Sequence, residues 1–347
     1  MSARKVEPEI AAPHPRETAE LFGHREAETA LLDAYRSGRI PHAWLIGGAQ
    51  GIGKATLAYR MARFVLAHRD PLSASVQRAE TLAVDPSDHV ARQIAAGSHG
   101  GLLTLERSLN ERGVMRTVIT VDETRETISF FGSTAAVEGW RVCIVDTVDE
   151  LNPNAANALL KILEEPPQQS LFLLVSHAPG RVLPTIQSRC RKLPLRPLAR
   201  SEVIRAAALA TGMAADDPAL AEAAQAAEGS VARALTLLGG DALKLHQRTA
   251  ALLARLPQVD PRELHALGDS LGLSDRVALA AFVDSVDRWV SDRLRADQDA
   301  NANLPRLARL AEVWEKIVRA ARDTQDYNLE RKPLVFSVFS MLAEATR

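Results

Sequence analysis

The sequence predicts an α/β domain built on a parallel β-sheet, followed by a small helical lid and an all-α C-terminal region. Three observations lead to this fold class. Short, wholly apolar runs alternate with helical patterns, as in a parallel sheet covered by helices on both faces. A glycine-rich loop follows the first of these runs. Beyond Pro197 the strand pattern stops, and apolar residues recur at helical spacing towards the C-terminus.

The glycine-rich loop joins the first apolar run, residues 44–46, to a helix predicted over residues 57–67. Its glycines allow the backbone to turn N–H groups inward around a phosphate, and they are Gly48, Gly51 and Gly53. Lys54 adds a point charge for the outer phosphates. The spacing matches the P-loop up to its last position, where Ala55 replaces the Ser or Thr that holds Mg²⁺ and Thr56 comes one residue late. The motif therefore predicts P-loop ancestry with a damaged metal site.

The elements around the loop are predicted in order. A loose tail precedes a stretch of helical spacing over residues 18–35, which Gly23 interrupts. The stretch 70–101 is weakly patterned and contains no cysteine, so a four-cysteine zinc site is not expected there. Further strand-like runs are short and apolar, and they cover residues 102–105, 118–121, 140–145, 171–176 and 191–195.

Helices are predicted between and after these runs. Asp122 is a plausible N-cap for a helix over residues 123–131. Asn152 caps the next helix, which has Pro153 at its first position and ends before Pro166. After the last strand, helical stretches cover residues 201–211, 218–228 and 230–238, and several longer ones follow. The chain thus divides into a flexible tail at 1–15, a P-loop α/β domain at 16–197, a helical lid at 198–240 and a helical collar domain at 241–347.

Composition describes an ordinary globular protein of 347 residues, with 46% hydrophobic and 24% charged residues. A net charge of −1 gives no global nucleic-acid signature. Local positive charge comes from Arg181, Arg191, Lys192 and Arg196, which indicates either a DNA contact or a solvated surface. Cys143 and Cys190 lie in or beside strand-like runs, which predicts buried, reduced thiols. Without a signal peptide or a long apolar run, the expected location is cytoplasmic and off the membrane.

The run at 140–145 leads to Asp146, the position of the carboxylate that organises Mg²⁺ in active P-loop ATPases. The alternative is that Asp146 only caps a loop. The next residue is Thr147, where many such families have a glutamate that activates water. Asp149 follows, with its side chain expected past the end of the strand. Ala55 and Thr147 affect metal binding and water activation separately, so ATP hydrolysis by this chain is not expected.

Two further polar residues are candidates for phosphate contacts. Ser176 ends the run at 171–176, where a hydroxyl could sense a γ-phosphate or simply bond to backbone. Arg189 lies near the surface, just before the last strand-like run, and arginine suits planar recognition of phosphate. The alternative for Arg189 is a solvated or carboxylate-paired guanidinium.

Two stretches carry a resemblance to a known family. Residues 151–167, Leu-Asn-Pro-Asn-Ala-Ala-Asn-Ala-Leu-Leu-Lys-Ile-Leu-Glu-Glu-Pro-Pro, resemble the block after the second strand of bacterial clamp-loader subunits. Ser188-Arg189-Cys190 resembles the arginine-finger motif of the same subunits. Together with the P-loop, these stretches resemble the delta-prime family of DNA polymerase III subunits, of the AAA+ class, over residues 21–239.

The resemblance implies a stator subunit of the clamp loader, in a ring of five subunits with the tau/gamma motor subunits and the delta subunit. Such a ring opens the sliding clamp and places it on primed DNA, as part of the DNA polymerase III holoenzyme. The resemblance also implies that Arg189 acts in trans on ATP held by an adjacent motor subunit, and that the helical collar holds the ring together. No cofactor is required of the chain itself, although ATP or ADP could bind its P-loop without turnover; no zinc is expected.

Motor subunits of this class carry a second sensor arginine in a Gly-Ser-x-Arg turn. Here Gly229 and Ser230 are followed by Arg233 one position late, about 100° round a helix, so that role is not assigned. Two other functions stay open. One is a catalytically active AAA+ ATPase motor subunit, with Thr56 taking over the Mg²⁺ contact. The other is a P-loop kinase, which would need an acceptor site and a phosphate-clamping lid that the helical tail does not show.

Overall fold

The computed structural model describes residues 13–108, 116–132, 139–239, 241–272, 276–296, 304–327 and 329–346. The chain forms two compact units. The N-terminal unit extends to Asp217 and includes Ala224–Ala232, and the C-terminal unit holds Pro218–Ala223 and the residues from Arg233 onward. The proposed division into a tail, a P-loop domain, a lid and a collar stays a prediction.

A five-stranded sheet forms the centre of the N-terminal unit, with strand order β2-β3-β4-β1-β5 and parallel pairing throughout. The strands are β1 (Ala43–Gly47), β2 (Leu102–Glu106), β3 (Arg141–Asp146), β4 (Ser170–Ser176) and β5 (Arg191–Pro194). Gly47 is in register with Ser176, and Asp146 with Val175. Because parallel strands end at the same edge, the glycine-rich loop, Asp146 and Ser176 come together there.

Helices cover both faces of this sheet. They are α1 (Arg25–Arg36), α2 (Lys54–Ala67), α3 (Ala74–Arg78), α4 (His89–Ala95), α5 (Val121–Gly132), α6 (Pro153–Glu164) and α7 (Pro184–Gln187), and α8 (Arg200–Thr211) follows the last strand. Alternate strand residues serve opposite cores: Trp44 packs with the apolar faces of α1 and α2, whereas Leu45 packs with those of α5 and α6. Burial on both faces explains why the strands read as continuous apolar runs.

The remaining helices are α9 (Pro218–Ala227), α10 (Val231–Leu238), α11 (Ala242–Ala254), α12 (Pro261–Ser270), α13 (Arg276–Ala296), α14 (Leu304–Asp326) and α15 (Arg331–Ala345). The last five share one apolar core, with Phe282 and Phe339 at its centre. After Pro194 the described part of the chain contains only helices and connections. The predicted fold class, a P-loop α/β domain followed by helices, is confirmed.

The prediction of a strand over residues 118–121 was wrong. Ile119 makes only an isolated bridge to Leu151, and α5 already begins at Val121. The backbone N–H and the hydroxyl of Thr120 both donate to the Glu123 carboxylate, which stabilises a helix start where β-branched residues suggested a strand. Asp122 consequently lies inside the helix and is not its N-cap.

The helical stretch predicted over residues 18–35 was too long. Gly23 and His24 both have positive φ angles, 66° and 56°, and α1 begins only at Arg25. By contrast, the predicted start of α6 is confirmed, because the Asn152 side chain accepts a hydrogen bond of 2.8 Å from the Ala155 N–H. Residues 133–138, which follow α5, lie outside the described residues.

Candidate functional site

The glycine-rich loop connects β1 to α2 at the carboxyl edge of the sheet. Its three glycines have positive φ angles, which are 153° at Gly48, 76° at Gly51 and 98° at Gly53. A Cβ atom on Gly51 would collide with Ser230 Oγ and lie 2.8 Å from the Cβ of Ala232. The Gly51 carbonyl also accepts a hydrogen bond of 2.9 Å from the backbone N–H of Val231. Ser230 and the first two residues of α10, which belong to the N-terminal unit, therefore pack directly on the loop.

Lys54 is turned back into the loop. Its side chain is only 3% exposed, and Nζ donates to the carbonyl oxygens of Gly48, at 2.8 Å, and Ala49. Burial lowers the pKa of Lys54 to about 8, against the opposing attraction of Asp146 and Asp149. The lysine predicted to bind phosphate is therefore satisfied by the backbone of its own loop.

Asp146 ends β3 beside the loop. Burial raises the pKa of its carboxyl group to about 6; Glu106 on the neighbouring strand raises it further, and Lys54 opposes the shift. The next side chain, Thr147, is 4% exposed, and its hydroxyl has no hydrogen-bond partner within the described residues. No carboxylate occupies the position next to Asp146 where a base would activate water.

Asp149 forms a hydrogen bond with Ser176, the residue predicted to act as a sensor. The Ser176 hydroxyl donates to Asp149 Oδ1 at 2.7 Å, and the backbone N–H of His177 donates to Oδ2 at 2.5 Å. The Asp149 side chain, which follows the end of β3 as predicted, thus contacts the end of β4. Burial lowers the pKa of His177 to about 4, so its imidazole is neutral at pH 7.

The metal-binding position of the motif lies in the first turn of α2. Ala55 packs against the apolar core, and Thr56 follows it, half-buried and about 100° further round the helix. Within the described residues, no group of His, Cys, Asp and Glu side chains is arranged to hold a metal ion.

His24 is a residue of this site that sequence reasoning missed. Its Nε2 lies 2.7 Å from the Ile52 carbonyl oxygen in the glycine-rich loop, and its left-handed backbone turns the chain into α1. The only signal in the sequence was the neighbouring Gly23, which marked a turn without indicating what the turn would contact.

Arg189 lies apart from these groups, between α7 and the edge strand β5. Its side chain is 33% exposed, and Nη2 lies 2.6 Å from Oε1 of Glu164, the last residue of α6. Nη1 donates to the Thr185 carbonyl oxygen at 2.8 Å. Within the described residues, the polar contacts of Arg189 are with these two residues and Ser188, and none belongs to the glycine-rich loop. The carboxylate-paired alternative describes Arg189 in the free chain.

Two other arginines considered from the sequence have structural partners. Arg233 is 7% exposed, and its Nε lies 3.0 Å from Asp284 Oδ2 on α13. Arg191 lies over the Trp44 ring, 4.9 Å from its centroid, on the edge strand. Charged residues on an edge strand discourage that strand from pairing with another chain. Arg191 and Lys192 lie on the edge strand β5, so their charges can be explained without DNA binding.

Two further predictions concern the cysteines and the membrane. Both cysteines, Cys143 and Cys190, are buried free thiols, and burial raises the pKa of each to about 12. The helices in the described part of the chain do not combine the length and hydropathy that a membrane span requires.

Comparison with known proteins identifies a family that matches this chain. Residues 23–199 match the family model described as DNA polymerase III, delta subunit. The DNA polymerase III subunit delta' of Pseudomonas aeruginosa is 37% identical over 149 residues, covering 43% of this chain and 41% of that protein. The corresponding subunit of Escherichia coli is 31% identical over 224 residues, covering 65% of this chain and 62% of that protein.

A second kind of relative also matches. The DNA polymerase III subunit gamma/tau of Mycobacterium tuberculosis is 28% identical over 327 residues, covering 91% of this chain and 53% of that protein. The chain thus spans roughly half the length of these three curated relatives, from 41% to 62%.

Proposed function

The chain belongs to the family of the DNA polymerase III delta subunit, and from this premise we propose that it is a delta-prime stator subunit of a clamp loader. Its own P-loop does not turn over ATP, and Arg189 acts in trans on ATP held by an adjoining motor subunit. The proposed partners are gamma/tau motor subunits and a delta subunit in a five-membered ring, which loads the sliding clamp onto primed DNA.

The observation that carries this proposal is the state of Lys54. In a working P-loop, the lysine reaches the outer phosphates of the nucleotide. Here Nζ is bonded to two carbonyl oxygens of its own loop and shielded from solvent. Thr147 at the base position and the capture of Ser176 by Asp149 support the same conclusion. Binding of ATP or ADP without turnover remains compatible with the retained glycines.

Arg189 has the chemistry that a neighbouring site requires. Its guanidinium is planar, permanently charged and partly exposed, and it lies outside the chain's own pocket. Catalysis of phosphoryl transfer depends on positioning and on stabilising charge that spreads over the transferring group. An arginine supplied in trans can contribute on the order of 10³ to 10⁵ in rate by that means.

The test is ATP hydrolysis by a reconstituted complex of this chain with gamma/tau and delta subunits, in the presence of clamp and primed DNA. We expect Arg189→Ala to lower turnover at the site that this chain completes by roughly 10³-fold. Pre-steady-state measurements separate that site from sites completed by other subunits, and sedimentation confirms assembly. Arg191→Ala, an exposed arginine two residues away, is the matched control. Lys54→Met should leave turnover unchanged. Wild-type hydrolysis by an assembled Arg189→Ala complex would refute the proposal.

A second candidate function is an active AAA+ ATPase motor subunit. The observation that favours it is the retained half of the P-loop, namely Lys54 with its glycines and Thr56 in the first turn of α2. The long match to a gamma/tau subunit supports the same alternative. Phosphate release by the isolated chain, abolished by Lys54→Ala and unaffected by Arg189→Ala, would favour this function over the first.

A further inference from the structure

The ion pair between Arg189 and Glu164 joins two segments that are far apart in the sequence. Glu164 is the last residue of α6, and Arg189 follows the short helix α7. Oε1 of Glu164 lies 2.6 Å from Nη2 of Arg189, within range of a charge-assisted hydrogen bond. The pair therefore connects the two stretches, residues 151–167 and 188–190, that carried the family resemblance.

The contacts hold the guanidinium by its two terminal nitrogens. Nη2 donates to Glu164 and Nη1 donates to the Thr185 carbonyl oxygen at 2.8 Å. A guanidinium has five N–H groups in one plane, so fixing two of them sets the plane. Nη1 also lies 3.4 Å from Ser188 Oγ, which leaves two N–H groups for another acceptor. Arginine otherwise loses much rotamer freedom when its head group is fixed. The carboxylate removes part of that freedom before any neighbour binds.

We propose that Glu164 is a positioning residue for Arg189: it holds the guanidinium ready for a triphosphate on the adjoining subunit. This inference rests on the proposed function of Arg189 in trans. Glu164 acts through Arg189 and touches no nucleotide itself. The pair is open to solvent, with Glu164 50% and Arg189 33% exposed, so both members are accessible in the free chain.

The expected size of the effect follows from that exposure. Exposed ion pairs contribute little, so loss of the Glu164 charge should lower turnover at the completed site by roughly two- to five-fold. This is far smaller than the effect of removing Arg189 itself. Because salt screens exposed pairs, the ratio of wild-type to Glu164→Gln turnover should fall towards one as ionic strength rises.

The experiment uses the reconstituted complex with clamp and primed DNA. Glu164→Gln should lower kcat two- to five-fold at an unchanged KM for ATP, and Glu164→Asp should retain part of the difference. Glu165→Gln is the matched control, since it removes the same charge from the adjacent exposed residue. In an Arg189→Ala background, Glu164→Gln should change nothing further, because its effect passes through the arginine.

A second measurement does not depend on assembly. Nitrogen-15 relaxation of the Arg189 Nε–H group in the isolated chain should show greater mobility in Glu164→Gln and no change in Glu165→Gln. Equal mobility in wild type and Glu164→Gln would overturn the inference.

The outcomes separate this inference from the proposed function. If Arg189→Ala leaves turnover intact, the proposed function fails, and the inference fails with it. If Arg189→Ala lowers turnover but Glu164→Gln matches wild type, raises turnover, or acts no differently from Glu165→Gln, only the positioning role is overturned.

Discussion

Two regions of the N-terminal unit hold a cation that suits phosphate, and they treat it in opposite ways. In the glycine-rich loop, Lys54 is buried and bonded to carbonyl oxygens of the loop itself. At the edge of the sheet, Arg189 is partly exposed and held at its two terminal nitrogens, by Glu164 and Thr185. The first cation is already satisfied within the chain, whereas the second still has donors to offer to another molecule.

The same contrast holds for the groups around each cation. The polar groups beside the glycine-rich loop form hydrogen bonds within the chain, as in the contact between Ser176 and Asp149. The first residues of α10 pack on Gly51 of the loop. The polar contacts of Arg189 join only two surface segments. The proposed function accounts for this difference: a loop that no longer turns over ATP can use its polar groups within the fold, whereas a residue that serves a neighbouring site stays at the surface. Each prediction below tests one side of this difference.

The largest expected effect is that of Gly51→Ala on the stability of the N-terminal unit. At a φ of 76°, any side chain is strained, and the new Cβ would meet both Ser230 and Ala232. We expect the free energy of opening to fall by about 3 kcal/mol, combining the strain of a left-handed residue with overpacking. Hydrogen exchange of the buried amides in β1 and β4 measures this value.

Gly212→Ala provides the control for that substitution. Gly212 has a similar φ of 72°, but a Cβ there would meet nothing within 4 Å. Gly212→Ala should therefore cost only the strain of a left-handed backbone, roughly 1 kcal/mol. Equal losses of stability for Gly51→Ala and Gly212→Ala would show that the start of α10 does not pack against the glycine-rich loop. The loop would then be more open than its contrast with Arg189 requires.

Asp146→Asn should change the stability of the N-terminal unit by less than Gly51→Ala does, and it should raise that stability. Burial raises the pKa of Asp146 to about 6, so the folded chain binds a proton more tightly there than the unfolded chain does. Stability contributed by this group is present below pH 4 and is lost as the pH rises to about 6. Asp146→Asn should consequently stabilise the unit by about 2 kcal/mol at pH 8 and by almost nothing at pH 4.

The matched control is Asp149→Asn, an identical change three residues later. It weakens hydrogen bonds from the Ser176 hydroxyl and the His177 N–H and should destabilise the unit. Opening energies measured by hydrogen exchange at the two pH values distinguish the variants. A stabilisation by Asp146→Asn that is equal at pH 4 and pH 8 would contradict the raised pKa of the Asp146 carboxyl group.

The parts of this molecule that were predictable from sequence are those set by local patterns. The glycine-rich loop, the apolar strands and the Asn152 cap all depend on residues within a few positions of one another. The run at 118–121 failed because the Thr120–Glu123 contact overrode β-branched propensity.

The contacts that define the site were not predictable, because they join distant positions. The Ser176 hydroxyl bonds to a carboxylate 27 residues earlier, and Arg189 pairs with a carboxylate 25 residues earlier. No periodicity specifies such partners; they follow from the order of the strands. The sequence indicated that Arg189 lies near the surface, but it left open which carboxylate would hold it.

The smallest expected effect on stability belongs to the residue with the largest proposed effect on function. Arg189 is partly exposed and its partner Glu164 is half-exposed, so the pair contributes at most about 1 kcal/mol. Arg189→Ala should change the opening energy of β1 and β4 by less than about 0.5 kcal/mol, because its contacts lie at the sheet edge and not in either core. Hydrogen exchange of the isolated chain measures this directly, with Glu165→Gln as the surface control. A loss of 2 kcal/mol or more would mean that Arg189 supports the fold, and any fall in turnover by the assembled complex would then have a structural cause.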